Sequence, residues 1–208
     1  MPPVHLAQYL VNTFGHVPGG VTPMKVQKLL FYVKAWGLVD GEDLVDGSFL
    51  RWKHGPVNRA VYRHYVEQGY RRAPIQPVAL APEHEPQGDA RAFVDFIGHS
   101  YARFPAVVLS KMTHDEAPWR KTPPKRVIPD PLIRSFYADQ PFAQNLPFDP
   151  VGKPYVPVQS DMDRALTFDM GPEDAARATT FASYREYLER ITRAGYRADD
   201  GWLSGLLA

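Results

Sequence analysis

Proline sets the first limit on what this chain can fold into. It has 21 prolines in 208 residues, and they gather in residues 74–86, 123–131 and 141–157, between segments of helical periodicity. Proline lacks an amide hydrogen and fixes φ, so these tracts are breaks or extended connectors. The fold must therefore be assembled from short helices joined by proline-rich links. The sequence has no cysteine, which excludes disulfide staples, thiolate catalysis and cysteine-ligated metal centres. An apolar share of 44% is enough for packing alone to hold such an assembly.

Charge excludes further classes. With 24 basic and 23 acidic side chains the net charge is +1, so no global field draws the chain to nucleic acid or an anionic membrane. Arg71-Arg72 and residues 121–126 are local basic runs, a pattern met more often on solvated surface than at binding sites. No window approaches the ~20 apolar residues that span a bilayer, and the N-terminus lacks the pattern of a secretory signal. The expectation is a soluble, cytoplasmic protein of bacterial style, without a membrane partner.

Periodicity places the elements. Val4, Ala7, Leu10, Val11 and Phe14 predict an amphipathic first helix. Thr22 as cap and Pro23 at the first helical position open a second, with Val26, Leu29, Leu30, Val33 and Trp36 on one apolar stripe and Lys25, Gln27, Lys28 and Lys34 largely off it. Residues 37–47 read as a turn-rich excursion, and 48–52 as a short extended segment leading to the Gly55-Pro56 break. Helical spacing resumes at Val57, Val61, Tyr62 and Tyr65, again over 89–101, from about 105 to 113, and briefly at 132–137. Beyond the last proline tract a longer helix is predicted at about 172–194, with Phe181, Tyr184, Leu188 and Ile191 on one face, followed by an apolar tail. The fold class is mainly α: a compact multi-helix domain over residues 1–140 with at most a short β element, and a C-terminal extension over 141–208.

The densest chemistry is Thr-His-Asp-Glu-Ala-Pro-Trp-Arg at residues 113–120. An imidazole beside carboxylates is the usual form of an acid–base pair, and His54, His114, Asp115 and Glu116 are possible nitrogen and oxygen ligands. Yet neighbouring residues point apart, and there is no His-Glu-x-x-His spacing, no Gly-x-Ser-x-Gly elbow around Ser110 and no phosphate-binding glycine loop. The structural reading accounts for the same residues: Asp115 or Glu116 caps the next turn, Pro118 bends the chain, Trp119 fills a groove and Arg120 pairs with a carboxylate. Trp52, Lys53, His54 and Gly55 form a rigid aromatic turn suited to protein recognition.

Three blocks taken together resemble the Panacea, or SocA-like antitoxin, domain. They are residues 22–32 with Trp36, residues 49–57 with Tyr62, and Leu109-Ser110 with residues 113–120; the resemblance spans about 5–138. Arg51 stands where the family usually has a small residue, and His54 where an aromatic hydroxyl is common. The resemblance implies a mainly helical, non-enzymatic antitoxin without cofactor or metal, partnered by a cognate protein toxin. In this family some members inhibit directly, and one type presents its toxin to a Clp-class protease. Family-motif or partner-binding positions are then Lys25, Gln27, Trp52, His54, Tyr62, His114, Glu116, Trp119 and Arg120, with Phe181, Tyr184 and Leu188 in the extension, which is expected to supply specificity. A homo-oligomer, a prophage setting and a C-terminal degradation signal stay open. The alternatives are a small hydrolase or metal-dependent enzyme using His114 with Glu116 or His54, and a phage-associated regulator, for which a nucleic-acid target lacks a basic stripe. On the favoured reading, His114, Glu116, Trp119 and Arg120 pack in a fixed arrangement against the loop at 52–57.

Overall fold

The computed structural model describes residues 1–149 and 153–158. The expected helix at 172–194, its Phe181, Tyr184 and Leu188 face and the apolar tail lie outside the described residues. Two helices begin the chain, α1 at Pro3–Phe14 and α2 at Pro23–Asp40. The start of α2 follows from local chemistry: Thr22 Oγ1 accepts the Lys25 amide at 3.2 Å and Pro23 occupies the first turn, where its missing N–H costs nothing. Its end is equally local, since Gly41 adopts a left-handed φ of 94° and donates its N–H to the Gly37 carbonyl. The helix thus runs into residues 37–40, which the sequence assigns to the turn-rich excursion.

Beyond α2 come a hairpin of β1 (Phe49–Trp52) and β2 (Gly55–Asn58), then α3 (Arg59–Glu67), α4 (Gly88–Tyr101), α5 (Ala106–Asp115), α6 (Ala117–Lys121) and α7 (Asp130–Ala138). The strands are antiparallel, with Phe49 opposite Asn58 and Trp52 opposite Gly55, so only Lys53 and His54 form the turn. On its other edge β1 is lined by residues 125–128: the Arg51 amide donates to Arg126 O and the Ile128 amide to Phe49 O. Asn58 ends β2 and caps α3, its side-chain oxygen accepting the Ala60 and Val61 amides.

Helix α2 is the axis of the assembly, touching α1, α3, α4, α5, α7 and β2. Residues 25–37 are buried without interruption. The apolar stripe is real, but the other faces are covered too, so Lys25, Gln27, Lys28 and Lys34 are interior rather than surface residues. Lys34 Nζ meets Asp43 at 2.6 Å, Asp130 at 3.2 Å and Val45 O at 3.3 Å, tying the 41–47 loop and the start of α7 to the axis.

An aromatic cluster fills the space around the C-terminal half of α2. Tyr32 stacks on Tyr101 at 3.8 Å, Trp36 Nε1 donates to Tyr101 Oη at 2.8 Å, and Tyr137 and Phe142 sit 4.8 and 4.7 Å from the Trp36 ring. Residues beyond 140 take part in this packing: Phe142 and Tyr155 are buried, and the Phe148 amide donates to Asp40 at 2.6 Å. Asn145 joins the two parts of this segment, exchanging two 2.8 Å hydrogen bonds with the Val156 backbone.

Candidate functional site at the hairpin turn and residues 113–120

The turn of the hairpin is fastened from three directions. Lys28 Nζ of α2 donates to Pro56 O at 2.8 Å, Ser110 Oγ of α5 to His54 O at 3.0 Å, and Trp119 Nε1 of α6 to Trp52 O at 3.0 Å. Gly55 makes the approach possible. Its φ is +100°, and a Cβ there would lie 2.6 Å from Lys28 Cε, 2.7 Å from Lys28 Nζ and 2.7 Å from Thr113 Oγ1. Three residues beyond Gly55, Gln27 and Asn58 exchange side-chain and backbone hydrogen bonds at 2.8 and 3.1 Å.

Burial sets the electrostatics. It pulls the Lys28 ammonium down to about 7, partly opposed by the Glu116 carboxylate, and the Lys25 ammonium down to about 8. Burial also lowers His114, helped by Lys28 and His54 and opposed by Asp115 and the Lys53 backbone. His114 Nε2 is buried without a hydrogen-bond partner.

Glu116 occupies the N-cap position of α6, but its side chain makes no capping bond. Its oxygens turn inward, accepting Tyr32 Oη at 3.0 Å and Tyr137 Oη at 2.6 Å. Burial, and then the Glu116 charge, push the Tyr137 phenol well up, so it remains a donor. The capping role expected for Glu116 is therefore replaced by an anchor onto α2 and α7. Pro118 is buried in the first turn of α6.

Trp119 is half-buried, with the Arg51 guanidinium 4.0 Å above its ring and the His114 ring 4.2 Å away. Arg51, the departure from the family pattern, thus packs on the motif tryptophan. Trp52 meets Tyr62 edge-on at 4.8 Å, and Tyr62 is 41% exposed. Arg120 is exposed and, among the described residues, makes no ion pair, so the expected pairing with a carboxylate does not form. His54 is exposed and contributes its carbonyl to the clamp.

The structure thus brings His114 and Trp119 together against the turn, and Trp52 against Tyr62, while Glu116 faces the interior. For the catalytic alternative His114 would have to share a site with Glu116 or His54, yet both Glu116 oxygens are held by tyrosines. Among the described residues no group of three or more His, Asp or Glu is placed to hold a metal ion. The sequence reading omits Tyr32, Asn58 and Tyr137 as site residues and treats Lys28 as peripheral. The available signal is the spacing of Lys28, Tyr32 and Trp36, four residues apart and hence on one face.

These features define a helical domain whose polar interior fixes the backbone of a surface hairpin beside an aromatic motif. Residues 26–120 match the family described as Antitoxin SocA-like, Panacea domain, a match that supports an antitoxin-type role and suggests a non-enzymatic one. Comparisons with curated proteins and with solved structures gave no match. No helix among the described residues is long and apolar enough to cross a membrane.

Proposed function

We propose that this protein is the antitoxin of a toxin–antitoxin pair and neutralises its cognate protein toxin by direct binding through the surface around the hairpin turn. The observation that carries this reading is the clamp of Lys28, Ser110 and Trp119 on the turn carbonyls, within the residues that match an antitoxin family. A preorganised loop loses less freedom when it docks, so the ordering is a gain for binding. Trp52 and Tyr62 supply the aromatic contact, with His54 and Arg120 as its polar rim. Lys25, Gln27 and Glu116 support that surface from inside, with Trp119 and His114 fixing its edge.

In this account residues 1–140 form the recognition platform and residues 141–208 add specificity, with Phe181, Tyr184 and Leu188 as contacts. Presentation of the toxin to a Clp-class protease, and assembly into a homo-oligomer, are further elements of the proposal. The test is co-expression with the product of the adjacent reading frame in a bacterial host. Growth arrest by that product alone and rescue by the wild-type chain are expected. A toxin whose half-life shortens only when a Clp-class protease is present identifies the adaptor form, and an unchanged half-life identifies direct inhibition. Because Phe142 and Tyr155 fill the core, specificity of the extension is tested by ending the chain after residue 158 rather than after 140. Full rescue by that shortened chain would remove the role assigned to residues beyond 158.

A further inference from the structure

The hairpin surface differs sharply in charge from the chain as a whole. Arg51, Lys53, Arg59, Arg63, Arg71 and Arg72 lie within residues 51–72, where Glu67 is the single acid. Residues 120–126, whose end runs beside β1, add four more lysines and arginines and no acid. Ten of the 24 basic side chains thus sit in two adjoining segments that hold one of the 23 acids. Among the described residues none of these ten makes an ion pair. A chain with net charge +1 therefore concentrates its basic side chains in the hairpin, α3 and the segment running beside β1.

A pocket opens between the start of α2, α3 and the residues that follow α3. It has a volume of about 150 Å³ and is lined by residues including Pro23, Val61, Tyr62, Val66, Tyr70 and Arg71. That is about the size of a cavity able to hold a benzene ring, so one phenylalanine ring or branched aliphatic side chain fits. Tyr62 links the pocket to Trp52, and Arg71 supplies a cation at the pocket. Arg59, three residues before Tyr62, shares its side of α3.

We infer that this face receives an acidic segment of a partner protein, inserting one apolar side chain into the pocket beside Tyr62 while its carboxylates meet Arg59, Arg71 and the neighbouring cations. The inference rests on the reading that the partner is a protein, and it names that partner's chemistry. The arrangement fits an acidic protein better than a nucleic acid. Single-stranded nucleic acid is held by successive rings on which bases stack, whereas Tyr62 is the one exposed Phe, Tyr or Trp among the described residues. Trp119 already carries Arg51 and His114 against it.

The experiment measures binding of the full chain to four fluorescent probes at about 50 mM and about 500 mM salt. The probes are an Asp/Glu-rich 12-residue peptide with one Phe, the same peptide with Ala for Phe, a Lys-rich peptide with Phe, and a 12-nucleotide oligothymidylate. The acidic Phe peptide should bind tightest and weaken at high salt as the charges are screened. Arg59→Glu with Arg71→Glu should weaken it at least about tenfold, with an unchanged thermal melt, since both residues are exposed and a glutamate suits the first turn of α3. Val66→Phe, filling the pocket from within, should abolish the advantage of Phe over Ala. Tighter binding of the oligonucleotide, equal binding of the lysine peptide, or an unaffected double variant would each overturn the inference. Undiminished toxin rescue by the double variant would likewise overturn it and leave the antitoxin reading intact. Absence of rescue by the wild-type chain, with the peptide preference retained, would remove the antitoxin reading instead.

Discussion

Replacing Lys28 by methionine should change how stability depends on pH. The side chain is 1% exposed, its Nζ is 2.8 Å from Pro56 O, and its ammonium is pulled from 10.5 down to about 7 by burial. In the unfolded chain it keeps its proton up to about pH 10.5, while in the folded chain it loses it near pH 7. Between those values the unfolded state binds more protons, so stability rises with pH, by up to ~1.4 kcal/mol per unit. From about pH 7 to pH 9 the gain is at most ~2.7 kcal/mol from this residue; below pH 7 its full cost is present and above 10.5 it is gone. Lys25, down to about 8, adds a slope of the same sign at the upper end. Tyr101 and Tyr137, both pushed well up, act in the opposite direction only above about pH 10. Urea unfolding followed by tryptophan fluorescence at steps from pH 7 to pH 9 reads the effect. Lys28→Met should flatten the rise substantially, leaving the Lys25 part, while the orphaned Pro56 carbonyl offsets its gain near pH 7 by about 1–3 kcal/mol. Equal slopes in the two proteins would refute the reasoning.

Two further substitutions test other parts of the account. Gly55→Ala should destabilise by roughly 2–5 kcal/mol, combining left-handed backbone strain with displacement of Lys28 from Pro56; a loss under about 1 kcal/mol in urea unfolding would mean that the clamp yields freely. Phe142→Ala should cost about 3–5 kcal/mol, read as a lower thermal midpoint. An unchanged midpoint would separate residues beyond 140 from the core energetics.

Legibility in the sequence followed the range of the interaction. The Thr22–Pro23 start of α2 was readable because capping is settled within four residues, and the apolar stripe because period is local. How many neighbours surround a helix is not local. Lys25, Gln27, Lys28 and Lys34 look like one polar face of a surface helix, and they become interior only because the elements packed around α2 also cover that side. Glu116 shows the same limit: its position predicts a cap, but two phenols from distant helices compete for the carboxylate and win. The second strand was hidden by the Gly55-Pro56 break, which reads as a turn until Asn58 is seen to accept and donate with Gln27. The hairpin-to-motif contact was legible in outline because the two segments are rich in aromatic and hydrogen-bonding groups; Arg120, facing solvent, was not part of it.

The central claim is that the hairpin surface, preset by the clamp, is what holds the toxin. Calorimetric titration of the purified chain with the product of the adjacent reading frame, comparing wild type with Tyr62→Ala, addresses it most directly. Tyr62 is 41% exposed and meets Trp52 edge-on, so its loss should lower the thermal midpoint only slightly. The account predicts saturable binding by the wild type and at least about tenfold weaker binding by Tyr62→Ala, equivalent to about 1.4 kcal/mol. Binding of equal strength by the two proteins would contradict it.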